Sequence, residues 1–310
     1  MSAHRFCRDV CLERGEPLEG TGNTPTRLLM LAWPRGKWRT PRWESIGMSP
    51  ALAGAVQDAM DAGVHVALVD RTGDSDSLAQ LHALPESIYA DFADETDLVE
   101  AIRAYTGGDL FQGAHDPRTT ILCCTDSRRD ACCARYGFST YKALAAISDP
   151  ARFHIVQATH IGGCRFAASL IVMPHRARYG RMTAGQAAAF IDSLERNEVF
   201  LPAYKGRADL PEPLQVAELA ALRWAAAHHC NSGELKLIMP DLPDDPEEGQ
   251  ELAFAARLPG RTLEIRLRAE TFHVQGNCGI LARDGGEPML RWCLQGVAEA
   301  PLSNQLQKDI

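Results

Sequence analysis

Several features that mark common function classes are scarce or missing in this chain. Basic residues are in the minority. The 32 Lys and Arg stand against 40 Asp and Glu, a formal net charge of -8, so the positive face of a nucleic-acid footprint is lacking and no nucleic-acid partner is expected. No apolar run approaches the roughly 18 residues of a membrane span, and residues 1–7 lack the apolar core of a signal peptide. These two absences predict a cytoplasmic protein with no membrane partner. There is no Gly-x-Gly-x-x-Gly phosphate loop, and Gly20-Thr21-Gly22 reads as a turn. The absence of Cys-x-x-Cys argues against a dithiol oxidoreductase. No Ser-His-Asp or paired-carboxylate pattern supports a hydrolase.

Cysteine, by contrast, is plentiful. Ten cysteines in 310 residues, in a reducing compartment, point to metal or redox chemistry rather than to a disulfide framework. Two spaced pairs stand at the centre of the chain. Cys124 and Cys133 have eight residues between them, and His160 and Cys164 have three. In His160-Ile161-Gly162-Gly163-Cys164 the two glycines oppose helix and suit a tight loop whose backbone approaches a bulky ligand. Such a loop fits an iron-sulfur cluster, whose sulfides accept backbone N–H hydrogen bonds. Cys123 and Cys132 share the spacing of Cys124 and Cys133, so spacing leaves the register open. Neighbouring strand residues face opposite ways, so Cys123 and Cys124 are not both expected to bind.

The apolar run 27–33 reads as a buried strand. Ser49-Pro50 caps a helix with an apolar stripe up to Gly63, and 64–69 reads as the next strand. A helix over 95–104 ends at Thr106-Gly107-Gly108, the expected domain boundary. Beyond it come a β-rich run over 119–124, a polar loop over 125–132, a helix over 134–147, and strands over 153–158 and 169–173. Thr183-Ala184-Gly185-Gln186 is a capping box opening a helix to Glu195. A helix over 213–227 and an acidic linker over 241–250 precede β-hairpins over 252–294. The fold class expected is α/β, divided as 1–108, an N-terminal α/β region; 109–230, a cluster-bearing domain; and 231–310, the linker and a small β-rich region. No internal repeat stands out.

The stretches Cys124-Thr125, Arg129-Asp130-Ala131-Cys132-Cys133, Thr159-His160-Ile161-Gly162-Gly163, Arg165-Phe166-Ala167-Ala168, Tyr204-Lys205-Gly206-Arg207 and Gln215-Val216-Ala217-Glu218 resemble the sucrase/ferredoxin-like family. The opening Glu16-Pro17-Leu18-Glu19-Gly20-Thr21 fits as well. Met173-Pro174 with Tyr179-Gly180-Arg181-Met182-Thr183 is similar to the stretch after the last ligand in thioredoxin-like 2Fe-2S ferredoxins. The resemblance implies a thioredoxin-like ferredoxin domain and a 2Fe-2S cluster held by Cys124, Cys133, His160 and Cys164. It also implies one-electron transfer to or from a redox partner protein, a reductase or an acceptor. Those ferredoxins use four cysteines, and eukaryotic relatives commonly show His-x-x-x-His in the second pair, whereas Cys164 would be the last ligand here. Plant-type all-cysteine clusters lie near about -400 mV and two-histidine Rieske centres at roughly -150 to +300 mV, so a Cys3His site is expected between them.

Two other readings compete. Cys3His is also a zinc set, although zinc knuckles place their cysteines closer together than Cys124 and Cys133. A redox enzyme holding a small molecule between the two α/β units is the second, and an electron carrier is favoured over it. Cys123 and Cys132 are read as small buried hydrophobes. Arg128, Arg129 and Asp130 could face a redox partner or pair with one another, and Arg165 could donate to a cluster sulfur or be solvated. Tyr204-Lys205-Gly206-Arg207 reads as a Gly-centred turn or a partner surface. Cys7 and Cys11 are expected to share a helix face, His228-His229-Cys230 to end a helix, and Cys278 and Cys293 to be structural or incidental.

Overall fold

The computed structural model describes residues 5–22, 25–70, 78–281 and 286–300; most of the leading segment 1–7 read above therefore lies outside them. The expected local signals form real element ends. Helix α1 spans Cys7–Glu13, and strand β1 spans Leu28–Ala32 and is wholly buried. Helix α2, Pro50–Asp61, starts where the Ser49 side chain accepts from the Leu52 N–H, as N-cap serines do. Strand β2 is His65–Val69, and a hairpin that sequence patterning did not separate follows as β3, Ala79–Leu84, and β4, Ile88–Phe92. Helix α3, Glu95–Gly107, is capped by Asp94 and ends at Gly108 in the left-handed region, where glycine carries no Cβ penalty.

After the short β5, Ala114–His115, comes β6, Thr119–Cys124, buried along nearly its whole length, as a central strand flanked on both faces must be. The helix expected over 134–147 begins with a π turn, Cys133–Gly137, before α4, Phe138–Ile147. The packing here is close: a Cβ on Gly137 would collide with the carbonyl oxygen of Cys124. Strands β7, Phe153–Ala158, β8, Leu170–Met173, and β9, Ala177–Tyr179, follow. The Thr183–Gln186 capping box is present and leads through a 3-10 turn into α5, Ala187–Glu195. Strand β10, Tyr204–Arg207, and α6, Glu212–Ala227, complete this stretch.

Strands β1 to β10 form one mixed sheet in the order β10-β9-β8-β6-β7-β2-β1-β3-β4-β5. Within it β6 and β7 are parallel around α4, with β8 and β9 antiparallel beyond β6. This β-α-β-β-β-α arrangement is thioredoxin-like. The N-terminal strands repeat it: β1 and β2 are parallel around α2, β3 and β4 are antiparallel beyond β1, and α3 follows. Both hairpins turn through three residues that begin with proline and end in the left-handed region, Pro85-Glu86-Ser87 and Pro174-His175-Arg176. The two units meet where β2 and β7 run antiparallel, pairing Val69 with Ala158.

Strands β11, Lys236–Ile238, β12, Glu251–Leu258, β13, Arg261–Val274, and β14, Glu287–Ala300, make a separate four-stranded antiparallel sheet. This is the β-rich C-terminal region expected. Its apolar face packs on α6 through Leu214, Val216, Phe254, Leu263, Ile265 and Trp292.

Candidate metal centre

Strand polarity determines which cysteine of each adjacent pair faces which core. On β6, Cys123 points into the core under α4 and α5 with Leu144 and Phe190. Cys124 points to the opposite face, among Cys133, Ile161 and Cys164. Cys124 ends β6 and Cys133 opens the π turn, so Gly137, by letting α4 approach the Cys124 carbonyl, also draws the two thiols together. His160 follows β7, where Thr159 is tied to β2 by two bonds: its N–H donates to the Leu68 carbonyl at 2.8 Å, and its hydroxyl accepts from the Leu68 N–H at 2.9 Å. Gly162 and Gly163 then turn the chain at φ 94° and 66°. These are left-handed values that glycine alone adopts without cost, and they return Cys164 to His160. Cys164 Sγ lies 3.4 Å from His160 Nδ1.

The four expected donors therefore converge. The donor atoms of Cys124, Cys133 and His160 all lie within 4.8 Å of one another, and those of Cys133, Cys164 and Asp130 do likewise. The three cysteines are nearly inaccessible, and His160 is half-buried. Their protonation is coupled. The Cys133 thiol hydrogen bond draws Cys124 down to about 5 against its burial, and His160 adds to the lowering. The same thiol holds Cys164 at about 6, and Cys133 itself is pushed well up. Burial pulls His160 down, but hydrogen bonds with Cys124 and Cys164 outweigh it and raise the ring to about 9. Two thiols poised to ionise beside an imidazole are the donor chemistry a soft metal ion or cluster uses.

Residues that carried no local signal hold this arrangement. Asp126 accepts from the His160 N–H at 3.2 Å and from the Arg128 and Arg129 N–H groups, folding the polar loop over the site. Arg42, from the N-terminal unit, donates to the His160 carbonyl at 2.9 Å and to the Val66 carbonyl. Burial lowers it to about 10, so its charge is held beside the site at neutral pH. A cleft of about 190 Å³ lined by Arg39, Arg42, Trp43, Asp126, Arg129 and His160 opens here.

Other residues fall differently from their sequence readings. Arg165 neither donates to a donor sulfur nor projects into water; it pairs bidentately with buried Glu16 at 2.6 and 2.7 Å, and Arg291 joins the same carboxylate. Tyr204-Lys205-Gly206-Arg207 is neither a turn nor a surface but edge strand β10, with Tyr204 and Lys205 buried. Lys205 reaches over the Phe166 ring, 4.9 Å from Nζ to centroid, and burial lowers it to about 7. Arg128 and Arg129 are exposed, while Asp130 is turned inward. His228 stacks on Trp224 rather than joining a donor group among the described residues. Cys7 and Cys11 share the buried face of α1 as expected, but Cys7 also meets Cys132 and Cys278.

The chain has a short structural likeness to the thioredoxin-like [2Fe-2S] ferredoxin from Aquifex aeolicus. One structure of that protein overlaps 30% of this chain and 96% of its own, with 15% identity and a TM-score of 0.28. A wild-type structure of the same ferredoxin overlaps 28% of this chain and 95% of its own, with 15% identity and a TM-score of 0.26. No curated protein matches the chain. No helix among the described residues is long and apolar enough to cross a membrane. The family pattern that does match runs over residues 18–206, from the strand-entry segment through both β-α-β-β-β-α units to β10, and by it the chain belongs to the Sucrase/ferredoxin-like family.

Proposed function

We propose that the chain holds a 2Fe-2S cluster on Cys124, Cys133, His160 and Cys164 and serves as a one-electron carrier in the cytoplasm. The observation that carries this reading is the convergence, at the ends of parallel β6 and β7, of three buried thiols and one imidazole from two separate loops. The donor set suits the group. Thiolates are the usual cluster ligands and imidazole can replace them on one iron, and Cys124 and Cys164 are already biased toward thiolate. A bound cluster would supply a reversible one-electron couple. The protein's own groups bind it, keep water from the cysteine side, and leave His160 as the most accessible donor.

That exposed side favours a protein partner over a small substrate. The cleft beside His160, about 190 Å³, falls below the 300–1,000 Å³ or so of small-molecule sites. The larger cavity of about 640 Å³ is lined by other residues, among them His175, Arg207 and Glu218. Exposed Arg129 lines the cleft with His160, and exposed Arg128 is its chain neighbour; an acidic face of a redox partner would dock there.

The compactness of the donor set favours a second reading, a single structural zinc ion, since 3.4 Å between Cys164 Sγ and His160 Nδ1 is close to one edge of a tetrahedron around zinc. Absorption and low-temperature EPR spectra of anaerobically purified protein, before and after dithionite and with iron and zinc quantified, separate the two. A brown protein with about two irons per chain and a reduced S = 1/2 signal is expected. A colourless, iron-free protein overturns the proposal.

A further inference from the structure

A second set of metal-type donors lies outside the site described above. Cys7 opens α1, Cys132 is the helical residue immediately before the π turn, and Cys278 lies in the 3-10 turn after β13. Their sulfurs form a nearly equilateral triangle: 3.4 Å from Cys7 to Cys132, 3.4 Å from Cys132 to Cys278 and 3.6 Å from Cys278 to Cys7. The Asp130 carboxylate completes the group, its oxygens 3.8 and 3.9 Å from Cys7 Sγ, and one donor atom from each of the four lies within 4.8 Å of all the others.

The distances discriminate among explanations. A disulfide would draw two sulfurs to about 2.05 Å and leave the third aside, whereas here the three are equally spaced. A tetrahedral zinc ion with bonds of about 2.3 Å sets its sulfurs about 3.8 Å apart, close to the edges observed. Asp130 is held for such a role. Its two oxygens accept from the Cys132 and Cys278 N–H groups, each at 2.7 Å. It is 4% exposed, and the groups on its oxygens are these two N–H groups and the Cys7 thiol rather than a cation. A buried carboxylate among three thiols lacks a positive charge, and buried charges are normally paired or bound to a metal. The Cys7 N–H donates to Cys278 Sγ at 3.4 Å, the backbone-to-sulfur bond that supports ligating thiolates.

We infer that Cys7, Cys132, Cys278 and Asp130 form a structural zinc site that fastens α1 and the C-terminal sheet to the start of the π turn that carries Cys133. The four donors fill a tetrahedron and leave no open position, the mark of a structural rather than a catalytic ion. The inference is independent of what Cys124, Cys133, His160 and Cys164 bind.

The test uses the full chain with two of the three first-site thiols removed, Cys124→Ser with Cys164→Ser, which leaves only Cys133 and His160 of that donor set, so that retained zinc lost on a change at Cys278 belongs to the second site. This double variant should keep about one zinc per chain, and adding Cys278→Ser should remove it. Cys278 is half-buried on a turn at the margin of the main sheet's core, and serine there keeps nearly the same size. Cobalt offered to the metal-stripped double variant should give the charge-transfer and d–d bands of a tetrahedral thiolate site, saturating at one equivalent. This readout needs no further variant. Absence of both zinc and cobalt bands in the double variant overturns the inference, as does zinc that survives Cys278→Ser. A protein purified without reductant that has lost two hydrogens in mass and binds neither metal identifies a disulfide and overturns it as well.

Discussion

The two β-α-β-β-β-α units share one topology and differ in what occupies the ends of their strands. In the first unit β1 runs into Trp33, which packs with Trp38, Leu52 and Val56 in an ordinary apolar core, and β2 runs into Asp70. In the second unit β6 ends in Cys124, and two residues past β7 the chain reaches His160. The same backbone course thus produces a packed support in one place and a cluster of metal-type donors in the other. Chemistry resides in the groups grafted at strand ends rather than in the fold. The first unit is not a bystander, because its Arg42 fixes the His160 carbonyl across the β2–β7 junction.

The contrast breaks most completely at the donors. Cys124→Ser or Cys164→Ser should remove nearly all iron and visible colour, read as iron per chain, whereas Trp33→Phe at the matching strand end should leave the iron content unchanged. The helices give the next largest difference. Gly137→Ala forces a methyl group into the Cys124 carbonyl and should cost about 3 kcal/mol in denaturant unfolding. In the first unit's α2, Gly54 has open space around it, so Gly54→Ala should raise stability by about 0.5–1 kcal/mol. A loss of similar size at both positions would show that the Cys124 contact is not what demands glycine.

Arg42→Met tests the link between the units. It takes the Arg42 donor from the buried Val66 carbonyl and the part-buried His160 carbonyl and should destabilise the chain by about 1–3 kcal/mol while metal content is retained, checked by unfolding and elemental analysis together. The smallest expected effect concerns pH. At the hairpin position where β8 carries Ile171, β3 carries His82, and burial lowers its pKa from the usual 6.5 to about 3. Between those values the unfolded chain binds the proton and the folded chain does not, so this residue's contribution to stability is lost as pH falls from about 6.5 toward 3. In urea titrations at pH 7 and pH 5, a His82→Leu variant should show a smaller decline than the parent.

Much of the site was legible because its signals are local. Cys124 with Cys133 and His160 with Cys164 each lie within one loop, the glycines between the latter pair report a turn, and alternation along β6 separates Cys123 from Cys124. Helix starts were equally local, as the Ser49 and Thr183 caps show. The internal repeat was hidden. Equivalent strand positions carry unlike residues, such as His82 against Ile171, and a shared strand order leaves no trace in composition or periodicity. Arg165 could not be assigned a partner from its neighbours, because Glu16 lies 149 residues away.

By itself, then, the sequence determined most of the helices and strands, the Ser49 and Thr183 caps and the spacing of the two candidate donor pairs, since each depends on hydrogen bonds or side-chain spacing within a few residues. Only the tertiary structure decided that both units share one sheet, that Arg42 braces His160, and that Cys7, Cys132 and Cys278 meet. Those contacts join segments up to 271 residues apart, and they arise when apolar burial closes the β2–β7 junction and the C-terminal sheet over the core, an ordering that no local pattern encodes.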